Sequence, residues 1–154
     1  MLKKKIIIFL LLFLSSCGYE AIHSKKNIKY YEFSISKLSF NGDRDINLKI
    51  KEILNNYTLD KKNKDFRLNI SSTSEKKIIA KDTSADATSF QKIIVVYIEV
   101  LENNKLKNNF TFSEKFTYNN NNNKFNLTTY EKEITRNLTE TAVDKLIFKL
   151  SNIE

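Results

Sequence analysis

Apolar and polar positions divide the chain into a short oily leader and a series of one-sided segments. Ile6 to Leu14 is an unbroken apolar run of nine residues. At helical rise it spans about half of a roughly 30 Å hydrocarbon core, too little for a transmembrane helix. Further on, "EFSISKLSF" alternates with Phe33 and Ile35 on one face, and then the apolar parity shifts to Leu38 and Phe40. A bulge near Ser36 or Lys37 is needed to keep all four inward, because a one-residue shift flips the faces of a strand. Asn41-Gly42-Asp43 predicts a turn, and Asp43 is placed to cap a helix whose Ile46, Ile50, Ile53, Leu54 and Tyr57 share one side. Asp45 precedes Lys49 by four residues, the favourable orientation for a helical ion pair. The polar stretch "NNYTLDKKNKD" predicts the loop that follows.

A second strand is marked by Phe66, Leu68 and Ile70 facing one way and Arg67, Asn69 and Ser71 the other. Ile78 and Ala80 either prolong it or begin a separate piece. The segment "KKIIAKDTSADATS", with Lys76, Lys77 and Lys81, predicts a strand-to-strand connection. In the third strand, Phe90, Ile94, Val96, Ile98 and Val100 form the core face, yet Ile93, Val95, Tyr97 and Leu101 make the other face oily as well. Antiparallel sheets usually leave one face polar. Two readings remain open: strong β-propensity with cover from long neighbours such as Arg67, or a partner or ligand lying across Ile93, Val95 and Tyr97. The fourth strand predicts Phe110, Phe112, Phe116 and Tyr118 inward, with Glu114 marking a bulge or an edge. Asn119 to Asn123 predict a loop. Thr128 and Glu131 have capping-box spacing, and behind them Ile134, Leu138, Ala142, Leu146, Leu150 and Ile153 predict a long helix widened by Val143 and Ile147.

The order β-α-β-β-β-α predicts an α/β (α+β) two-layer sandwich: a four-stranded mixed sheet with two helices on one face. The first two strands, joined by a helix, are parallel if adjacent, and the remaining strands form an antiparallel meander.

Lys3, Lys4 and Lys5 precede the oily run, and Ser15 and Ser16 close it ahead of Cys17, the single cysteine. A basic start, a short apolar stretch and small residues are the marks of an export leader. Leu14-Ser15-Ser16-Cys17 resembles a bacterial lipobox. That resemblance implies cleavage before Cys17, with S-diacylglycerol and N-acyl lipids on that residue and no other cofactor. The alternative is an ordinary leader with a coincidental cysteine. The predicted organisation is a cleaved leader over 1–16, a lipidated tether over 17–31 and a single domain over 32–154. Gly18 stands where an Asp favours inner-membrane retention in many two-membrane bacteria, so the resemblance implies the periplasmic side of the outer membrane.

The 154 residues carry 26 basic and 18 acidic side chains. Removal of the leader takes away three lysines and no acid, which leaves a net charge of +5 on 138 residues. Richness in Lys, Asn and Ile together is the stamp of an AT-rich genome, and an exported protein is not expected to meet nucleic acid. An anionic lipid surface fits the charge better. One cysteine excludes an internal disulfide framework. His23, the sole histidine, falls in the tether. Asp43 and Asp45 are paired carboxylates by spacing, but their place at a helix start accounts for them. With no phosphate-binding Gly loop and no Ser/His/Asp or Cys/His set, an enzyme is not expected.

Cys17-Gly18-Tyr19 behind the lipobox, the order of elements, the strand "ATSFQKIIVVYIEV" and the final "EKEITRNLTETAVDKLIFKLS" together resemble the LPS-assembly lipoprotein LptE family. The chain has no Pro after the cysteine, where that family often carries one. The resemblance implies an outer-membrane lipoprotein that plugs an LptD-like β-barrel, assists its folding and binds lipopolysaccharide (LPS). Under it, Lys76, Lys77, Lys81 and Arg67 are candidate contacts for anionic sugar phosphates, chosen by residue type. A solvated basic loop is the plain alternative. A competing function is that of an auxiliary lipoprotein of an ABC-type lipid transport system.

Overall fold

A computed structural model of the chain describes residues 32–59 and 61–153. The leader, Cys17, His23 and the tether lie outside the described residues. Four strands form a sheet in the order β1-β2-β3-β4: β1 Phe33–Gly42, β2 Lys64–Lys81, β3 Ala87–Glu102 and β4 Lys105–Asn119. β1 runs parallel to β2, and the other two pairings are antiparallel. Helices α1 (Arg44–Leu54) and α2 (Lys124–Ser151) share one face of this mixed sheet, as the alternation predicts.

The bulge demanded by the parity shift in β1 is present. Ile35 pairs with Phe66 and Lys37 with Arg67, so Ser36 is the extra residue. Phe33 and Ile35 are buried, and Leu38 and Phe40 pack on the same core. At the end of β1, Gly42 has φ +93°, and a Cβ there would lie 1.9 Å from the Ser72 carbonyl oxygen. Only glycine permits that close approach. Asp43 then caps α1 as predicted, its Oδ1 accepting from the Asp45 and Ile46 amides at 3.0 and 3.2 Å. Lys49 does not pair with Asp45. It reaches Glu52 at 3.1 Å and Glu140 of α2 at 2.9 Å, so it ties the two helices together. Within the predicted polar loop, a 3-10 turn (Asn55–Tyr57) stacks Tyr57 on Phe33 with ring centroids 5.4 Å apart.

Of the predicted connection over 76–89, residues 76–81 are strand, so Ile78 and Ala80 prolong β2, the first of the two readings left open for them. β2 continues to Lys81 because its outer half pairs with β3, Ile78 opposite Phe90 and Lys76 opposite Lys92. The turn itself needs only residues 82–86, where Asp82 Oδ1 accepts from the Ser84 and Asp86 amides at 2.9 and 3.0 Å. β3 and β4 are joined through Asn103 and Asn104, both at positive φ, the geometry of a tight two-residue hairpin turn.

β4 is an edge strand and passes Glu114 in regular register opposite Ile94, with no bulge. Glu114 instead pairs with Lys145 of α2. Phe112 and Tyr118 point into the core as expected, whereas Phe116 stays 45% exposed. It lies opposite Lys92, at the row where the apolar core gives way to polar side chains. α2 starts four residues before the predicted cap, at Lys124. Asn123 is the N-cap, accepting from the Asn126 amide at 3.1 Å. Thr128 lies inside the helix and donates to the Lys124 carbonyl. The predicted stripe is buried except for Leu138, which is half-buried, and Leu127 joins Phe90, Tyr118 and Ile134 in a small cluster apart from the main core.

Candidate functional site

The face of the sheet opposite the helices is the first candidate surface. Alternation along β3 turns Ile93, Val95 and Tyr97 toward it, while Ile94, Val96 and Ile98 enter the core. Ile93 sits between Glu75 and Lys115, Val95 between Thr73 and Ser113, and Tyr97 between Ser71 and Thr111. An apolar line thus runs down the central strand with short hydroxyl or charged side chains on both flanks. Ile93 and Val95 are half-buried and Tyr97 is 38% exposed. Arg67 does not cover them. It pairs in register with Leu101, four residues further along β3, and its guanidinium donates to Asn104 in the turn.

The four basic candidates do not converge. Arg67 and Lys76 are nine residues apart on β2, about 30 Å at strand rise. Lys76 turns to the helix face, where it pairs with Glu131 and lies 3.9 Å from the Phe90 ring centroid. Lys77 is exposed and sits 3.3 Å from Glu75 on the open face. Lys81 ends β2 beside the turn, also exposed. Lys77 and Lys81 therefore rim a projecting hairpin whose Ile78 and Ile79 are 53% and 51% exposed, while Lys76 is engaged by Glu131 and Phe90 on the helix face.

A polar cleft of about 500 Å³ opens between α1 and α2 above β2 and β3. Asp43, Ser74 and Lys92 line its base, and Lys49, Glu52, Glu131, Lys132 and Arg136 are on its walls. Burial acts to raise the pKa of Glu131. Hydrogen bonds from Lys76 and Tyr118, with the charges of Lys76 and Lys92, outweigh it and hold the carboxyl below its ordinary value. Asp43 is likewise lowered against burial, by the Ser74 hydroxyl, the Ile46 and Asp45 amides and the charge of Lys92. The Tyr118 phenol is raised by burial and by its bond to Glu131. Lys92 escapes a reading of apolar alternation, although its parity gives it away: an even position between Phe90 and Ile94 places a lysine on the core face.

Among the described residues no three His, Cys, Asp or Glu side chains converge as metal ligands do, and no helix is long and apolar enough to cross a membrane. No family model matches the sequence. No curated protein matches it either. Solved structures do match. The rare lipoprotein B from Shewanella oneidensis aligns over 75% of this chain and 97% of its own, with a TM-score of 0.56 at 13% identity. A minor lipoprotein from Acinetobacter baumannii aligns over 75% and 90%, TM-score 0.53, at 16% identity. Lipoprotein B from Nitrosomonas europaea aligns over 87% and 90%, TM-score 0.54, at 12% identity. The chain has the fold of these bacterial lipoproteins. At such identities the likeness establishes the fold alone.

Proposed function

We propose that the protein is a noncatalytic lipoprotein, anchored through Cys17 on the periplasmic side of the outer membrane, that seats in an LptD-like β-barrel and assists LPS transport to the cell surface. The observation that carries this reading is the apolar line of Ile93, Val95 and Tyr97 on the face of the central strand opposite the two helices. An antiparallel sheet covered by helices on one side commonly leaves the other side polar, so an apolar line there suits a surface on which a partner packs. The fold shared with three bacterial lipoproteins and the lipobox-like Leu14-Ser15-Ser16-Cys17 support a membrane-tethered binding module. Several acyl chains at one residue make attachment durable, since each buried methylene contributes about 0.8 kcal/mol. Lys77 and Lys81 beside exposed Ile78 and Ile79 are the groups best placed to meet an anionic amphiphile, through charge-assisted contacts to phosphate.

Affinity capture of the full chain from detergent-solubilised envelopes, with mass spectrometry of proteins and lipids, tests the proposal. A large β-barrel protein and LPS are expected. Recovery of an inner-membrane permease and its ATPase instead would assign the chain to an ABC-type lipid transport system.

A further inference from the structure

A second depression opens at the free edge of the sheet, between the outer half of β4 and the first turns of α2. It measures about 580 Å³, within the range of small-molecule sites. Phe116, Tyr118 and Tyr130 supply its rings, and Asn120, Asn121 and Asn126 supply carboxamides. None of the described lining residues is charged. On a chain with 26 basic and 18 acidic side chains, a lining of aromatic rings and amides suits an uncharged ligand.

The rings are held in place and still open to contact. Tyr118 is buried, tilted against Phe90 with centroids 5.8 Å apart, and anchored through its hydroxyl to Glu131. Tyr130 stands edge to face with Tyr118, centroids 6.0 Å apart and planes at 84°. It is nevertheless 44% exposed, and its hydroxyl has no hydrogen-bond partner among the described residues. Phe116 shares the inward parity of Phe112 and Tyr118, which turns its exposed ring to the helix side of the sheet and into the groove.

The carboxamides divide into one that builds the wall and two that remain open to a ligand. Asn120 donates from Nδ2 to the Ala87 carbonyl at 2.7 Å and accepts from the Asn121 amide at 2.9 Å, which ties the loop to the start of β3. Asn121 commits its oxygen to the Asn123 amide at 2.9 Å and keeps both side-chain N–H donors. The Asn126 side chain makes no hydrogen bond among the described residues, so it offers donors and an acceptor together.

We infer that this groove binds an uncharged pyranose unit of a saccharide, its ring packed on Tyr130 and Phe116 and its hydroxyls bonded to Asn121, Asn126 and the Tyr130 hydroxyl. A pyranose has an apolar C–H face and a rim of hydroxyls that both donate and accept. It therefore matches an aromatic surface set beside groups of both hydrogen-bonding kinds. An acyl chain would leave the carboxamides unpaired, and an anion would meet no cation in the lining. None of these residues belongs to the open-face line of β3, so the inference is independent of the LPS reading.

The test is an NMR titration of the isotope-labelled full chain with two uncharged trisaccharides, chitotriose and maltotriose, and with glycerol as a hydroxyl-bearing control. Saturable shifts at Asn121, Asn126 and Tyr130 are expected with at least one trisaccharide and not with glycerol. A response confined to chitotriose assigns the site to an N-acetylated glycan of the cell-wall type, and a response to maltotriose assigns it to a hexose-bearing glycan. Tyr130→Ala is expected to weaken binding by about tenfold or more, and Tyr130→Phe, which keeps the ring, by only about threefold. Phe148→Ala, an exposed aromatic about 27 Å further along α2 at helical rise, should leave binding unchanged. If Tyr130→Ala does not fold, Asn126→Ala takes its place, with a loss of at least about threefold expected. No saturable shift with either trisaccharide, an equal response to glycerol, or unchanged binding in whichever of these two variants folds would overturn the inference.

Discussion

Tyr118 of β4 donates its phenolic hydrogen to Glu131 Oε1 of α2 at 2.8 Å, and Lys76 of β2 reaches the same oxygen. One carboxylate thus joins the edge strand, the projecting hairpin and the first half of α2. Glu131→Ala removes the acceptor from both partners, and a loss of about 1–3 kcal/mol in urea denaturation is expected. Tyr118→Phe should cost about 1 kcal/mol, and the double mutant should fall short of the sum by at least about 0.5 kcal/mol. Strict additivity would mean that the contact contributes nothing to folding.

Acid should weaken the fold through the same group. Glu131 and Asp43 have folded-state pKa values below their ordinary ones, each against the opposing effect of burial, and Glu140 is lowered chiefly by its hydrogen bond to Lys49. Their contribution is complete above the unfolded carboxylate values, near pH 4, and is lost as pH falls through the folded ones. Tyr118 has the opposite sign. Its raised value contributes stability that is present below about pH 10 and lost as the pH rises further. Urea denaturation across this range should show both declines, with Glu131→Gln flattening the acid limb.

Gly42→Ala should be among the most damaging single substitutions. Its φ of +93° is strained for any L side chain, and the new methyl would meet the Ser72 carbonyl at 1.9 Å. A loss of about 2 kcal/mol or more is expected from strain and displacement of β2. Asp43→Ala, one residue on, removes the cap of α1 and should cost about 1–2 kcal/mol. Thermal melts of both variants check the order.

Much of this architecture was legible because apolar parity is a strong signal. Phe33, Ile35, Leu38 and Phe40 demanded a bulge and have one at Ser36, and Asp43 caps where the turn residues placed it. The start of α2 was obscured because Asn123, the true cap, is the last of five consecutive asparagines, while Thr128 and Glu131 offered a better local pattern. The outer half of β2 reads as loop because its lysines and small residues are exposed, and its strand form comes from pairing with β3, a long-range contact. The open-face line on β3 was readable from composition. The polar cleft was not, because Lys92, Ser74 and Glu131 meet only once β2, β3 and α2 have assembled.

Substitution on the open face should separate binding from folding. Val95→Glu and Tyr97→Lys replace half-buried and exposed side chains that no helix among the described residues covers, so their effect on stability should stay within about 1 kcal/mol. Capture of the envelope partner should fall by at least about tenfold, because a charge would be buried without a match in the contact. Equal capture by both variants and the parent chain would remove this face from the interface.

The most direct measurement is site-specific photo-crosslinking in intact envelopes, with the reactive group placed at Tyr97 and, as a control, at Phe148 on the outer side of α2. The Tyr97 probe is expected to join the chain to one large β-barrel protein of the outer membrane. A Tyr97 probe that reacts with no protein, or with an inner-membrane permease, would contradict that expectation.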